Sequence, residues 1–265
     1  MKGTPTLELE LLERCMSEFV RREPDTMVID RPEILQLIAP SQPTVFKNGV
    51  YRFRVPSGRT DVEIDAALGR FAEHGLPSRW FVGPLSEPAD LVNRLAKRGP
   101  DRIHLTDGLV FRTSDRLVPR ASASGIQVEP LTEGAVDEFV EVESEAWRAL
   151  DPRDQRATVG RQAREAIAAP DSRRFLIARI NGVAVGTARL LLFTDGSAGY
   201  FAGGSVLTSA RRKGVYRELI RARVELLREL GIPLALVHAL RDSSGLICQK
   251  LGFQVICQSA VVYFK

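Results

Sequence analysis

Apolar side chains recur at Leu7, Leu11, Leu12, Met16, Phe19 and Val20, a three-to-four spacing that gives a helix one apolar stripe. The chain therefore opens on an amphipathic helix. In VFKNGVYRFRV, Asn48-Gly49 stands between β-prone residues and predicts a hairpin turn there. From Thr60 to His74 the helical period returns through Val62, Ile64, Leu68 and Phe71. SRWFVGP then reads as a short strand, ADLVNRLAKRG as a helix, and HLTDGLVFRTS as one strand or a strand pair.

Between Ser114 and Gly125 the segment DRLVPRASASG loses all periodicity and gains Pro, Ser, Ala and Gly. This composition predicts a linker, with one α/β lobe at 1–120 and a second domain at 125–265. The second domain begins with a strand, IQVEPL, and a helix from Thr132 to Leu150 with apolar positions at Val136, Phe139, Val140, Val142 and Trp147. A further helix runs from about Val159 to Ala169 and stops at Pro170. RRFLIARI, VAVGTARLLLF and SAGYFAGGSVL follow as three strands, joined by hairpin signals at Asn181-Gly182 and Asp195-Gly196. An amphipathic helix, Val215 to Leu230, closes on Gly231 and Pro233. A strand (PLALVHAL), a short helix from about Ser243 to Leu251 and a last strand (QVICQSAVVYF) complete the chain. The fold class is α/β (α+β): a mixed, mostly antiparallel sheet flanked by helices, preceded by a second α/β lobe.

Composition narrows the setting. Of 265 residues, 44% are hydrophobic and 26% charged, enough apolar mass for packed cores. There is no run of about eighteen apolar residues and no basic start followed by an apolar stretch, so neither a membrane span nor a leader is expected. Three scattered cysteines, Cys15, Cys248 and Cys257, suit a reducing compartment, and no metal site is expected. These features together predict a cytoplasmic protein. The net charge of +4 matters only where it clusters, at Arg211, Arg212 and Lys213 and then Arg217, Arg221 and Arg223. Aromatic residues are not interleaved with that cluster, so a nucleic-acid surface is not expected.

The cluster sits where a strand runs through one glycine, Gly214, into a helix. The first turn of a helix presents unpaired N–H groups, and its macrodipole adds partial positive charge. Glycine lets an anion come close to that backbone, and flanking cations add charge. A pyrophosphate fits such a place. The bland alternative is a solvated basic face before an ordinary turn. Gly203-Gly204 inside the preceding strand marks either a bulge, a close approach or a packing constraint.

Val206 with Arg211-Arg212-Lys213-Gly214-Val215-Tyr216, and Ser244 through Lys250-Leu251-Gly252-Phe253 farther on, resemble the GNAT superfamily of acyl-CoA-dependent N-acyltransferases. The pattern departs from the family at Tyr216, where a small residue is usual. The resemblance implies that Val206, Leu207, Arg211, Arg212, Lys213, Gly214, Val215, Tyr216 and Ser244 bind acetyl-CoA. It implies that the strand before the loop splays from its neighbour and places Ser205, Val206 and Leu207 beside the acyl group, one backbone N–H serving the oxyanion. The acceptor is then a small-molecule or peptide amine, and the protein a monomer or a homodimer. His238 is the candidate base, and a buried core histidine is the competing reading. Glu141, Glu143 and Glu145 either contact the acceptor or face solvent. Cys248 stands where family members often carry a tyrosine acid, and a buried inert thiol is the competing reading. The first lobe resembles a worn, non-catalytic GNAT-like repeat. Two alternatives remain open: a module that binds acyl-CoA without turnover, and an aminoacyl or RNA-linked transferase on the same fold.

Overall fold

The computed structural model describes residues 6–20, 22–118, 125–148 and 155–265. In chain order its elements begin with α1 (Leu7–Glu18), β1 (Met27–Arg31), β2 (Ile34–Ile38), β3 (Gly49–Phe53), α2 (Thr60–Glu73), β4 (Ser78–Val82), α3 (Leu91–Ala96) and β5 (Arg102–Arg112). They continue with β6 (Ile126–Pro130), α4 (Val136–Trp147), α5 (Arg156–Ala168), β7 (Arg173–Ile180), β8 (Val183–Leu192), β9 (Gly199–Val206), α6 (Val215–Glu229), β10 (Leu234–Leu240), α7 (Leu246–Lys250) and β11 (Gln254–Phe264). No described helix is long and apolar enough to cross a membrane.

Two compact units emerge: Met1–Gly108 with Val255–Lys265, and Leu109–Gln254. Composition had put the change-over at 120–125, and residues 119–124 of that linker lie outside the described residues. Loss of periodicity reports exposed backbone, whereas a unit is defined by contacts. Those contacts divide the single strand β5 at Gly108 and give the last strand to the first unit, through β11 pairing antiparallel with β4.

In the first unit, β1, β2 and β3 form an antiparallel meander and β3 pairs in parallel with β4 across the crossover helix α2. The Asn48-Gly49 turn signal is not a two-residue hairpin. The hairpin strands are β2 and β3, joined by the 39–48 loop, and buried Asn48 organises that loop. Its Oδ1 accepts from the Ala39 N–H (2.7 Å), and its Nδ2 donates to the Gln42 (2.7 Å) and Thr44 (3.0 Å) carbonyls. The core here is built from Ile34, Phe53, Ile64, Phe71 and Trp80, with the Phe53 and Trp80 rings 5.5 Å apart.

In the second unit β6, β7, β8 and β9 run antiparallel, and β9 pairs in parallel with β10 across the crossover helix α6. Asn181 and Gly182 both adopt positive φ (51° and 81°), the conformation of the tight turn expected between β7 and β8. Helices α4 and α5 cover one face of this sheet through Phe139, Val159, Ala163, Phe175 and Ile177. On the other face, α6 buries Leu219, Ile220, Val224 and Leu227 completely, worth about 2 kcal/mol each. The expected helix near Ser243 is split into a π-type turn, Arg241–Gly245, and the short α7.

Asn48→Ala leaves one buried N–H and two carbonyls without their partner, and such groups cost about 1–3 kcal/mol each when unmet. The expected loss of folding free energy is about 3 kcal/mol, read from urea denaturation of the variant against the wild type.

Candidate functional site

Strand β9 is where the second unit departs from a regular sheet. On the β8 side its register shifts between Thr187 and Arg189, so that Thr187 faces Ser205 while Arg189 faces Ala202. Gly203 and Gly204 therefore share one position opposite Ala188, a bulge in which Gly203 takes φ +50°. On the β10 side, pairing covers only Ala235 with Gly199 and Leu236 with Tyr200. Beyond Tyr200 the two parallel strands part.

The bulge also resets which side chains share a face. Tyr200, Ala202 and Ser205 lie opposite Leu191, Arg189 and Thr187, alternate residues of β8 that point toward α4 and α5. Without the extra residue Ser205 would sit on the far side from Tyr200. Phe201 and Gly204 face α6 instead.

After β9 the chain turns through Leu207 and a short 3-10 turn, Thr208–Ala210, then reaches Arg211, Arg212 and Lys213, all exposed. Arg212 adopts φ +65° and Gly214 φ +94°. Left-handed geometry is ordinary for Gly214 and costs about 1 kcal/mol for an arginine, so the surrounding turn imposes it. Gly214 is the N-cap of α6 and offers no side chain to its first N–H groups. A helix N-terminus with unsatisfied amides and three flanking cations is an anion site in its chemistry. Arg211 Nε reaches back to the Val206 carbonyl (3.4 Å). Arg217 and Arg221 are half-buried, Arg221 donating to the Val118 carbonyl (3.1 Å), and Arg223 is not part of the basic surface at all.

Of the three residues expected beside a ligand, Leu207 has its N–H committed to the Val185 carbonyl (2.9 Å). Alternation along a strand then turns the Val206 N–H away from β8, toward the edge that β10 has left. Ser205 is 4% exposed and its Oγ has no hydrogen-bond partner among the described residues. His238 lies on β10 two residues past the last one paired with β9, its ring meeting the Tyr200 ring edge-on at 6.0 Å. Burial pushes its pKa down to about 4, so the imidazole is neutral at neutral pH and a weak base.

Among the glutamates of α4, Glu141 and Glu145 are exposed, and Glu141 pairs with Arg156 (3.0 Å). Glu143 does not face solvent. At 2% exposure it accepts from Thr187 Oγ1 (2.9 Å) and Arg189 Nη2 (2.6 Å), while Arg189 Nη1 donates to Gln162 Oε1 (2.9 Å). Periodicity alone cannot reveal this, because the partners come from β8 and α5.

On the α6 side Tyr216 lays its ring against Gly204. A side-chain Cβ at Gly204 would stand 2.7 Å from Tyr216 Cε2, so the glycine and the tyrosine require each other. The hydroxyl interacts with Ser244, Arg223 and Cys248, and burial raises its pKa to about 12. Cys248 is fully buried with its thiol pushed up to about 11 by burial, the state of an inert thiol. Ser244 Oγ accepts from the Leu240 N–H (3.0 Å) and ties the turn before α7 to the end of β10. Arg223 is 1% exposed. Its guanidinium lies 4.3 Å above the Phe201 ring and donates to the Leu219 (3.1 Å) and Arg189 (3.3 Å) carbonyls, and among the described residues Nη2 has neither a carbonyl nor a carboxylate partner. Its signal in the sequence is an arginine four residues after Leu219, on the buried stripe of α6.

His238 makes folding sensitive to acid. Its pKa in the folded protein is depressed to about 4 from an ordinary value of about 6.5, so the unfolded chain takes up the proton first. The stabilisation is present above the ordinary value and is lost as pH falls toward the folded one. Between about pH 7 and about pH 4.5 the wild type should lose about 2 kcal/mol more than His238→Leu, as read from denaturant midpoints at both pH values.

The sequence profile of the Acetyltransferase (GNAT) family matches residues 136–253, from the start of α4 to Phe253. No curated protein sequence matches the chain. Among solved structures, a GCN5-related N-acetyltransferase from Kribbella flavida is similar over 98% of this chain and 96% of its own, with a TM-score of 0.70 and 16% identity. One from Sphaerobacter thermophilus is similar over 97% and 91%, with a TM-score of 0.63 and 14% identity. A tandem GNAT protein from the clavulanic acid biosynthesis pathway is similar over 99% and 89%, with a TM-score of 0.58 and 14% identity. At such identities these likenesses speak for the fold. The profile match covers the parted strands, the Gly214 loop and α7 together, and so residues 136–253 form a domain of the Acetyltransferase (GNAT) family.

Proposed function

We propose that the protein transfers an acetyl group from acetyl-CoA to the primary amine of a small molecule or peptide, by direct attack within a ternary complex. The observation that carries this reading is the parting of β9 from β10 beside a left-handed Gly214 cap and three exposed cations. Arg211, Arg212, Lys213 and the first-turn amides of Val215 and Tyr216 hold the pyrophosphate, and Ser244 borders the arm that follows it. The arm lies along the β9 edge that β10 has vacated. Acetyl-CoA supplies the activated acyl thioester, and the chain supplies geometry and electrostatics.

Val206 directs its N–H at the thioester carbonyl and stabilises the charge that builds there. Leu207 supplies packing only, because its amide is spent within the sheet. The acceptor approaches from the α4 and α5 face, where Ser205, Tyr200 and His238 are gathered by the bulge. His238, neutral at working pH, accepts a hydrogen bond from an amine that arrives unprotonated. The Ser205 hydroxyl, which has no hydrogen-bond partner among the described residues, is a second contact for it.

Only the second unit takes the coenzyme. In the first unit β3 and β4 also pair at just two positions, Gly49 with Arg79 and Val50 with Trp80, but the edge beyond is already occupied. Glu87 donates its N–H to the Phe53 carbonyl (2.8 Å), Arg54 bridges to Glu87, and Trp80 and Phe53 fill the interior. One specific observation favours a second reading, a coenzyme-binding module without turnover: the residue at the α7 position is the buried thiol of Cys248.

Titration calorimetry with coenzyme A should give one site per chain. Arg212→Glu should weaken it at least about tenfold, since a like charge against the pyrophosphate costs more than about 1.4 kcal/mol. Equal affinity in the variant, or two equivalent sites, counts against the assignment. A screen of amines with acetyl-CoA separates the enzyme from the silent module.

A further inference from the structure

The second unit buries a positive charge that has no anion among the described residues. Arg223 is 1% exposed, and among the described residues no carboxylate pairs with it: its donors reach two backbone carbonyls and an aromatic face, and beside them stands only the neutral Tyr216 hydroxyl. Leaving a guanidinium so placed is costly, several kcal/mol in general, unless a negative group complements it at some stage. Burial lowers the Arg223 pKa, and Tyr216 and Cys248 act in the other direction.

Arg223 Nη2 lies 3.6 Å from where a Gly204 Cβ would stand, on the side of β9 where Tyr216 has its ring. Tyr216, Arg223, Ser244 and Cys248 thus form one polar cluster against the half of β9 that is free of β10. Tyr216 is only partly buried, whereas Arg223 is wholly so. Tyr216 and Ser244 are the members of the cluster with surface left for a ligand on the open edge, and the charge lies behind them.

We propose that Tyr216 is the hydrogen-bond donor to the coenzyme A sulfur, and that Arg223 is the positioning charge that makes this donor effective toward a departing thiolate. The inference rests on the coenzyme reading given above. When the acceptor nitrogen bonds to the acyl carbon and the C–S bond breaks, the electron pair remains on sulfur. Tyr216 keeps its proton and solvates the thiolate, and the proton shed by the nitrogen passes through water to neutralise it. A phenol held near 12 has no tendency to surrender its proton to a thiolate of ordinary basicity, and so acts as donor without becoming a phenolate. The buried cation completes the arrangement, because the negative charge it lacks appears on sulfur during the reaction. Two departures from the family pattern then have a common cause: Gly204 gives the ring its seat, and Cys248 is a packing neighbour with no chemistry of its own.

The test needs no acceptor. Coenzyme A carrying an isotope label on the carbon next to sulfur is bound to the full chain, and the NMR shift of that carbon is followed against pH. In the wild type the bound thiol should titrate below the free thiol. In Tyr216→Phe, which keeps the ring in its seat against Gly204, the bound thiol pKa should rise by about one unit, a tenfold change in the thiol–thiolate balance, while affinity for coenzyme A changes less than about threefold. Arg223→Met should move the thiol pKa in the same direction, and Arg223→Lys should restore part of the difference. A bound thiol that titrates like the free one in the wild type overturns the inference, whatever the variants do. So does a Tyr216→Phe protein that binds coenzyme A more weakly without a change in the thiol pKa. No coenzyme binding by the wild type would overturn the functional reading as well.

Discussion

The second unit depends on one irregularity, the two-for-one bulge at Gly203-Gly204 in β9. It changes the parity of the strand, so that Ser205 joins Tyr200 and His238 on the face of α4 and α5. It accompanies the end of pairing with β10, which leaves backbone groups of β9 without a strand partner at the centre of the domain. And it removes a side chain where the Tyr216 ring lies, which lets the first turn of α6 come down on the sheet. A regular strand would satisfy its own amides and offer an acyl group nothing.

The charges are arranged in the same terms. The three cations that precede Gly214 are exposed and cheap to keep, because water solvates them until an anion arrives. Glu143 and Arg189 are a mostly buried pair that meets its cost through mutual contact and through Thr187 and Gln162. Arg223 is neither exposed nor matched by a carboxylate among the described residues, which sets it apart from both groups.

The first unit repeats the local order of meander, crossover helix, parallel strand and short helix, and diverts it to stability. Its β3 and β4 separate as β9 and β10 do, yet Glu87 takes the free edge and Trp80 fills the interior. The same topology thus gives an open edge in one unit and a closed one in the other, and the difference lies in the segment between β4 and α3 that carries Glu87.

Much of this was legible in the chain of residues. Helical and strand periods placed the elements of the second unit nearly as observed, because buried positions must recur at 3.6 or 2 residues whatever the fold. The turn at Asn181-Gly182 was legible for a similar local reason, since few residues tolerate positive φ, and Gly214 before α6 stood out for its lack of a side chain. What the sequence could not show is whatever depends on segments distant along the chain. Asn48 reads as a turn residue until the 39–48 loop closes around it, and Glu143 reads as a solvent charge until Thr187 and Arg189 arrive from β8. His238 reads as a base until packing around β10 lowers its pKa to about 4. Arg223 reads as one more member of a basic helix until the Leu219 stripe carries it beneath β9. Local conformation follows from the residue and its neighbours, whereas burial, and with it the protonation and chemistry of a side chain, is set by what the tertiary structure packs against it.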